Sequence, residues 1–398
     1  MPETSVKANS WQSKHVSYVV LIHLAFALIG TATTLLGVIL PALAARFELD
    51  DSQSGKLFSA QFAGALLGTF LAERLWIRFG FSLTIVIGLF VMSAGVFGMG
   101  FFNLNGVVGG IFLNGIGIGL AIPSTNLLIS ALNPQKAASA LNILNFVWSG
   151  GAMICPALVG FLSNSFDIRL PLTALAISIM FLGFIFAAFA RFQNVPGKTA
   201  TNSVFSDSPN VWRTGFALII AALLFLCVGA ENSLSGWLTA YSLRLQESQG
   251  SLWTITATVF WTAFLLGRLC APLFLRTISA NRFISICLLI GSIGAGLLLI
   301  PSAYSFLSIG TALAGFGLAP IFPTLFAQFT TRFGETGATK WLFVSGTLGG
   351  AFLTWLVGFL STINGSLRSG LAATFVCFLI MFVLQTRLVS QPLADPSL

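Results

Sequence analysis

Glu231 is the one acidic residue that falls deep inside an apolar run, within the stretch CVGAENSLSGW at 227–237. A carboxylate at mid-bilayer costs roughly 2.5–3.5 kcal/mol on insertion scales, so an acid held there marks a functional site by default. Asn232, Ser235 and Trp237 stand within two turns of it. A carboxylate, an amide and an indole together suit a solute that offers hydroxyl groups and an apolar ring face. That is the chemistry of a sugar. The carboxyl can accept hydrogen bonds from such hydroxyls, or it can carry a proton; the residue types leave both roles open.

Other polar residues repeat this chemistry. Asn142, Asn145 and Ser149 follow i, i+3, i+7 spacing, which puts them on one helical face, and Trp148 flanks it. Two amides beside an indole suit hydroxyl recognition; the bland alternative is helix–helix bonding, which averages about 0.6 kcal/mol per bond in membranes. Asn126, Gln61 and Trp261 are further expected contacts to substrate. Arg268 is expected about two turns inside the cytoplasmic end of its helix, where it can snorkel to the surface and serve as a gate. No intramembrane base stands out as a partner for Glu231. Trp76, Trp212, Trp253 and Trp341 lie near the ends of apolar runs and read as interfacial anchors.

The elements that must position these groups follow from composition. The 398 residues are 56% hydrophobic and 8% charged, with a mean hydropathy of +0.93. Soluble domains carry roughly 25% charged residues, so a soluble enzyme and a disordered chain are both excluded. The apolar runs are continuous, which selects helices over the alternating strands of a membrane barrel. An all-α polytopic membrane protein is expected, with the lipid bilayer as its main partner. Twelve spans are long enough: 17–44, 55–76, 82–102, 106–132, 137–162, 170–192, 211–243, 252–275, 283–300, 304–329, 338–360 and 366–388. Pro320 and Pro323 favour a bend in the tenth. The net charge of +8 is scattered one or two residues at a time, so nucleic acid is not an expected partner. Cys155, Cys227, Cys270, Cys287 and Cys377 are isolated, which suits packing rather than a metal or disulfide framework.

The polar stretch 193–210 reads as a cytoplasmic linker between an N-terminal half, 1–192, and a C-terminal half, 211–398, of six helices each. With both termini inside, fourteen of the 19 lysines and arginines fall on the inner side, which sets cytoplasmic termini; a bacterial inner membrane is the expected location. The halves also repeat. LNGIGIGLAIP at 113–123 and LAGFGLAPIFP at 313–323 align without a gap; GGAMICPALVGFL from Gly150 matches GGAFLTWLVGFL from Gly349 with one residue missing. Duplicated six-helix halves point to a transporter whose site lies between them near the midplane.

Three stretches, VGAENSLSGWL, WTAFLLGRLCAPL and GFGLAPIFPTL, make the chain resemble the major facilitator superfamily along its whole length. They are most similar to its fucose–galactose–glucose:proton symporter branch, including the bacterial glucose/mannose transporters. The resemblance implies the major facilitator fold, with twelve transmembrane helices in two pseudo-symmetric halves, and a monosaccharide substrate. It also matches Asn126 to an asparagine of that branch. There are departures. GTFLAERLWIRFG follows helix two where the superfamily has Gly-x-x-x-Asp-Arg-x-Gly-Arg, and Ile111 replaces an arginine of many proton-coupled members. The acids that fucose-type members carry in helices one and four are replaced by Thr31, Thr33 and Thr34 and by Ile122.

The expected function is therefore transport of a hexose such as glucose, mannose, galactose or fucose by alternating access. It is either facilitative or coupled to H+ or Na+, with Glu231 as the coupling residue, and needs no cofactor. A monomer is expected. The alternative is a proton-coupled exporter of amphipathic molecules. An enzyme is not expected, since paired carboxylates, HExxH and aspartate-rich metal motifs are all absent from the sequence.

Overall fold

The computed structural model describes residues 3–163, 167–190, 211–245, 254–300, 304–334 and 339–389. The proposed linker 193–210 lies outside them. With no water in the bilayer core, each spanning segment must satisfy its own backbone, and long helices do so. The helices in order are α1 Glu3–Phe47, α2 Asp51–Phe79, α3 Phe81–Phe101, α4 Leu104–Leu132, α5 Ala137–Leu162, α6 Arg169–Ala190, α7 Gly215–Leu245, α8 Ile255–Phe274, α9 Ala280–Leu297, α10 Tyr304–Leu318, α11 Ile321–Phe333, α12 Thr339–Asn364 and α13 Leu367–Val389.

Every expected span coincides with a helix except the tenth, which is divided into α10 and α11. Pro320 and Pro323 bring no backbone N–H, so the ladder is interrupted where the sequence places them. Taking α10 and α11 as one span, eleven segments among the described residues are long and apolar enough to cross a membrane. The remaining helix, α2, is less apolar because it carries Asp51, Lys56, Glu73, Arg74 and Arg78.

The chain forms two compact units. One comprises Met1–Thr33, Gly64–Ala152 and Arg169–Ala200; the other comprises Thr34–Ala63, Met153–Ile168 and Thr201–Leu398. These bounds differ from a simple division at the linker, because α1, α2 and α5 each contribute to both units.

The sequence repeat is a packing repeat. In the first unit a side chain on Gly151 of α5 would overlap the Ala27 carbonyl of α1; in the second, one on Gly349 of α12 would overlap the Phe225 carbonyl of α7. Gly95 and Gly110 bring α3 against α4, and Gly294 and Gly310 do the same for α9 and α10. Gly68 meets Ile116 as Gly267 meets Phe316. Without a hydrophobic drive between helices in lipid, such close backbone approach is what associates them. The five cysteines are free, four of them buried, in keeping with packing roles.

Candidate functional site

In the second unit, Glu231 and Asn232 sit mid-way along α7 and keep accessible surface, while Cys227, Ala230 and Leu234 around them are fully buried. An ionisable group turned to hydrocarbon is costly, so the accessible side of Glu231 belongs on a polar opening. Arg268 of α8 lies close enough for its charge and that of Glu231 to interact. Glu231 thus has a basic residue near it that the sequence does not single out. The reason is local. Phe264 lies one turn before Arg268, and the guanidinium carbon rests 4.7 Å from its ring centroid, holding the side chain against its own helix. Phe264 is in turn packed edge-on by Trp261, centroids 5.2 Å apart. Trp261 is 2% exposed, so it supports the Phe264–Arg268 pair from behind.

The asparagines share one geometry. Asn232 Nδ2 donates to the Val228 carbonyl at 2.8 Å, Asn145 Nδ2 to Leu141 at 2.9 Å, and Asn126 Nδ2 to Ile122 at 3.1 Å. Each amide nitrogen is thereby engaged by its own helix. Asn126 Oδ1 is buried and has no hydrogen-bond partner, leaving an acceptor that a hydroxyl donor can satisfy. In the first unit, Asn142 is exposed, Asn145 and Trp148 are half-buried, and the Ser149 hydroxyl donates to the Asn145 carbonyl. Gln61 belongs to the second unit and is buried.

Trp237 does not join this group. It is 1% exposed, its indole N–H donates to the Thr354 carbonyl of α12 at 2.9 Å, and its ring packs on Phe58. It offers a solute neither surface nor a donor, and serves as packing between α2, α7 and α12. Trp237→Phe is expected to lower thermal stability by an amount equivalent to about 1 kcal/mol, the worth of one hydrogen bond, with KM unchanged. A melting curve beside an uptake titration checks this.

The sequence reading passed over an ion pair. Asp51, at the start of α2, accepts two bonds from the Arg244 guanidinium of α7, at 2.7 and 2.5 Å, and one from the Ser361 hydroxyl of α12. Burial raises the Asp51 pKa, but those bonds and the Arg244 charge prevail and hold the carboxyl below its usual range. A lowered folded-state pKa contributes stability at pH values above the unfolded value and loses it as pH falls. The difference in melting temperature between wild type and Asp51→Asn is therefore expected to stay constant from about pH 8 to about pH 5 and to shrink only in stronger acid.

A profile of the Major Facilitator Superfamily matches residues 22–354. Bypass of stop codon protein 6 of Saccharomyces cerevisiae is 23% identical over 275 residues, 62% of this chain and 54% of that protein. The 4-hydroxybenzoate transporter PcaK of Acinetobacter baylyi is 31% identical over 136 residues, 34% of this chain and 29% of that protein. The chain thus spans about half the length of the first and under a third of the second. Among solved structures, the E. coli fucose:proton symporter FucP is 19% identical, with 95% of this chain and 100% of that one covered and a TM-score of 0.65. At that identity the likeness speaks for the fold. With the profile matching most of the chain and the helical fold shared, this multi-pass membrane protein belongs to the Major Facilitator Superfamily of transporters.

Proposed function

We propose that the protein carries a monosaccharide, a hexose such as glucose, mannose, galactose or fucose, across a bacterial inner membrane by alternating access. Both termini are cytoplasmic, the halves 1–192 and 211–398 move about the linker 193–210, and the monomer is the working unit. The observation that carries this reading is Glu231, accessible in mid-helix beside Asn232 and charge-linked to Arg268. A carboxylate with amide oxygens accepts the hydroxyl hydrogens of a sugar, and the guanidinium donates to its oxygens. Asn126, Asn142, Asn145 and Trp148 in the first unit and Gln61 in the second are proposed as solute contacts each within its own unit, and the symporter fold of FucP supports the solute class. Glu231 is also the group that couples transport to protons, releasing its proton as Arg268 turns to it. Sodium is the other possible coupling ion.

The test is uptake of labelled hexoses into proteoliposomes, with and without an inward proton gradient. Accumulation above the equilibrium level only with the gradient supports the symport reading. Equal uptake in both conditions makes Glu231 a binding residue of a facilitative carrier. A second reading, transport of a carboxylate-bearing solute, is favoured by the Arg268 guanidinium, and PcaK supports it. Including 4-hydroxybenzoate in the same panel separates the two.

A further inference from the structure

We propose that the turn between α8 and α9 binds the head group of an anionic phospholipid through Arg276 and Arg282, with the acyl chains lying along two apolar stripes. All of these residues belong to the second unit.

The stripes come from helical spacing. Leu266, Leu269 and Leu273 stand at i, i+3 and i+7 on α8, and Ile286, Leu289 and Ile293 repeat that spacing on α9. All six are exposed. The other faces of these helices are occupied: Gly267 meets Phe316 and Gly294 meets Ala314 of α10, while Gly291 meets Phe378 of α13. In a spanning helix the exposed apolar side is the one that lipid covers.

An arginine crowns each stripe at the same end. Arg276 follows Leu273 by three positions, Arg282 precedes Ile286 by four, and both are exposed. Phe274 and Phe283 stack across the turn with centroids 6.2 Å apart, which brings its two ends together. The turn is held in shape by its own bonds. The Phe274 carbonyl accepts from the Thr277 N–H, the Ile278 N–H and the Thr277 hydroxyl, each at 3.0 Å. Gln328 Nε2 of α11 donates to Asn281 Oδ1 at 2.8 Å, fixing the start of α9.

Elsewhere the arginines have partners. Arg46, Arg78 and Arg332 lie over aromatic rings, and Arg244 pairs with Asp51. Among the described residues neither Arg276 nor Arg282 has a ring or a carboxylate against it, and no Asp or Glu occurs between Glu247 and Glu335. Two guanidinium forks suit the oxygens of a phosphodiester. A lipid with net negative charge keeps that attraction, whereas a zwitterionic one offsets it with its own cation. The site also bears on transport. Arg268 stands eight residues before Arg276, about 12 Å along a helix axis. A lipid held at the turn therefore fixes how deep Arg268 stands in the membrane, whichever solute is carried.

The test is native mass spectrometry of the purified full chain, titrated with phosphatidylglycerol or with phosphatidylcholine of identical acyl chains. At roughly fivefold in affinity per basic residue, wild type is expected to prefer phosphatidylglycerol by about tenfold or more. Arg276→Gln and Arg282→Gln are each expected to cut that preference roughly fivefold, and the two together to abolish it. Arg276→Lys with Arg282→Lys keeps both charges and is expected to retain most of it. Equal affinity for the two lipids in wild type, or a preference that survives in the double Gln variant, would overturn the site. So would an equal loss in Arg74→Gln with Arg78→Gln at the end of α2, because the preference would then belong to net charge alone. Glycerol 3-phosphate in excess, a head group without chains, is expected to leave the lipid bound; full displacement would make this a site for soluble phosphates instead. A melting curve identifies any variant that fails to fold, and a salt series on wild type then replaces it. The preference is expected to fall as ionic strength rises, and one that salt does not move would contradict the arginine contacts.

Discussion

Glu231→Gln is expected to abolish gradient-driven accumulation while leaving the protein folded and inserted. Glutamine has nearly the same shape and can still accept a hydrogen bond through Oε1, so packing around Cys227 and Ala230 survives. It cannot carry a proton or hold a negative charge. If Glu231 binds the solute as a carboxylate, losing a hydrogen bond to a charged group costs about 1.5–3 kcal/mol, roughly a ten- to hundredfold rise in KM. If it also couples transport, uptake in a pH gradient falls to the level reached without one. The two effects are read separately, from the concentration dependence and from the final accumulation ratio. A variant that keeps wild-type accumulation removes Glu231 from the coupling mechanism.

The second large effect is expected from Arg268→Gln. Removing Arg268 leaves the Glu231 carboxyl without the opposite charge near it, which is destabilising where water is partly excluded. A clear drop in melting temperature and in uptake follows. The double variant Arg268→Gln with Glu231→Gln has no orphaned charge, so its melting temperature is expected to return toward wild type while uptake stays low. A gating arginine without a link to Glu231 would show no such recovery. An equal loss of stability in the single and double variants would therefore contradict the pairing.

The features legible in the sequence were those written in local patterns. Run length located the spans, and the bend that Pro320 and Pro323 favour lies where the tenth divides into α10 and α11. The matched glycines did more than reveal a duplication. A residue without a side chain is required where backbones touch, so Gly151 against α1 and Gly349 against α7 are one crossing used twice.

What stayed hidden depends on helix neighbours and rotation. Charge statistics treat every arginine near a span end alike, so they do not show that Arg268 rests on Phe264 one turn earlier. Trp237 looked like a substrate contact because it is near Glu231 in sequence. At about 100° per residue the six steps from Glu231 to Trp237 turn it roughly 120° away around the helix, toward α12. Cys227, four positions before Glu231, shares its face instead. The Asp51–Arg244 pair joins two helix ends with no intervening pattern. Nothing in either local sequence points to the other.

Central to the proposed transport is that a sugar is held at Glu231 and its neighbours. The direct measurement is counterflow of labelled hexose in proteoliposomes loaded with the same unlabelled sugar, for wild type and for Glu231→Gln. Counterflow needs binding and alternating access but no ion gradient. A transient accumulation of label is expected in wild type, saturable by at least one hexose and shifted to roughly tenfold higher concentration or lost in Glu231→Gln. No counterflow by wild type with any hexose, while 4-hydroxybenzoate or an amphipathic cation is exchanged, would contradict it.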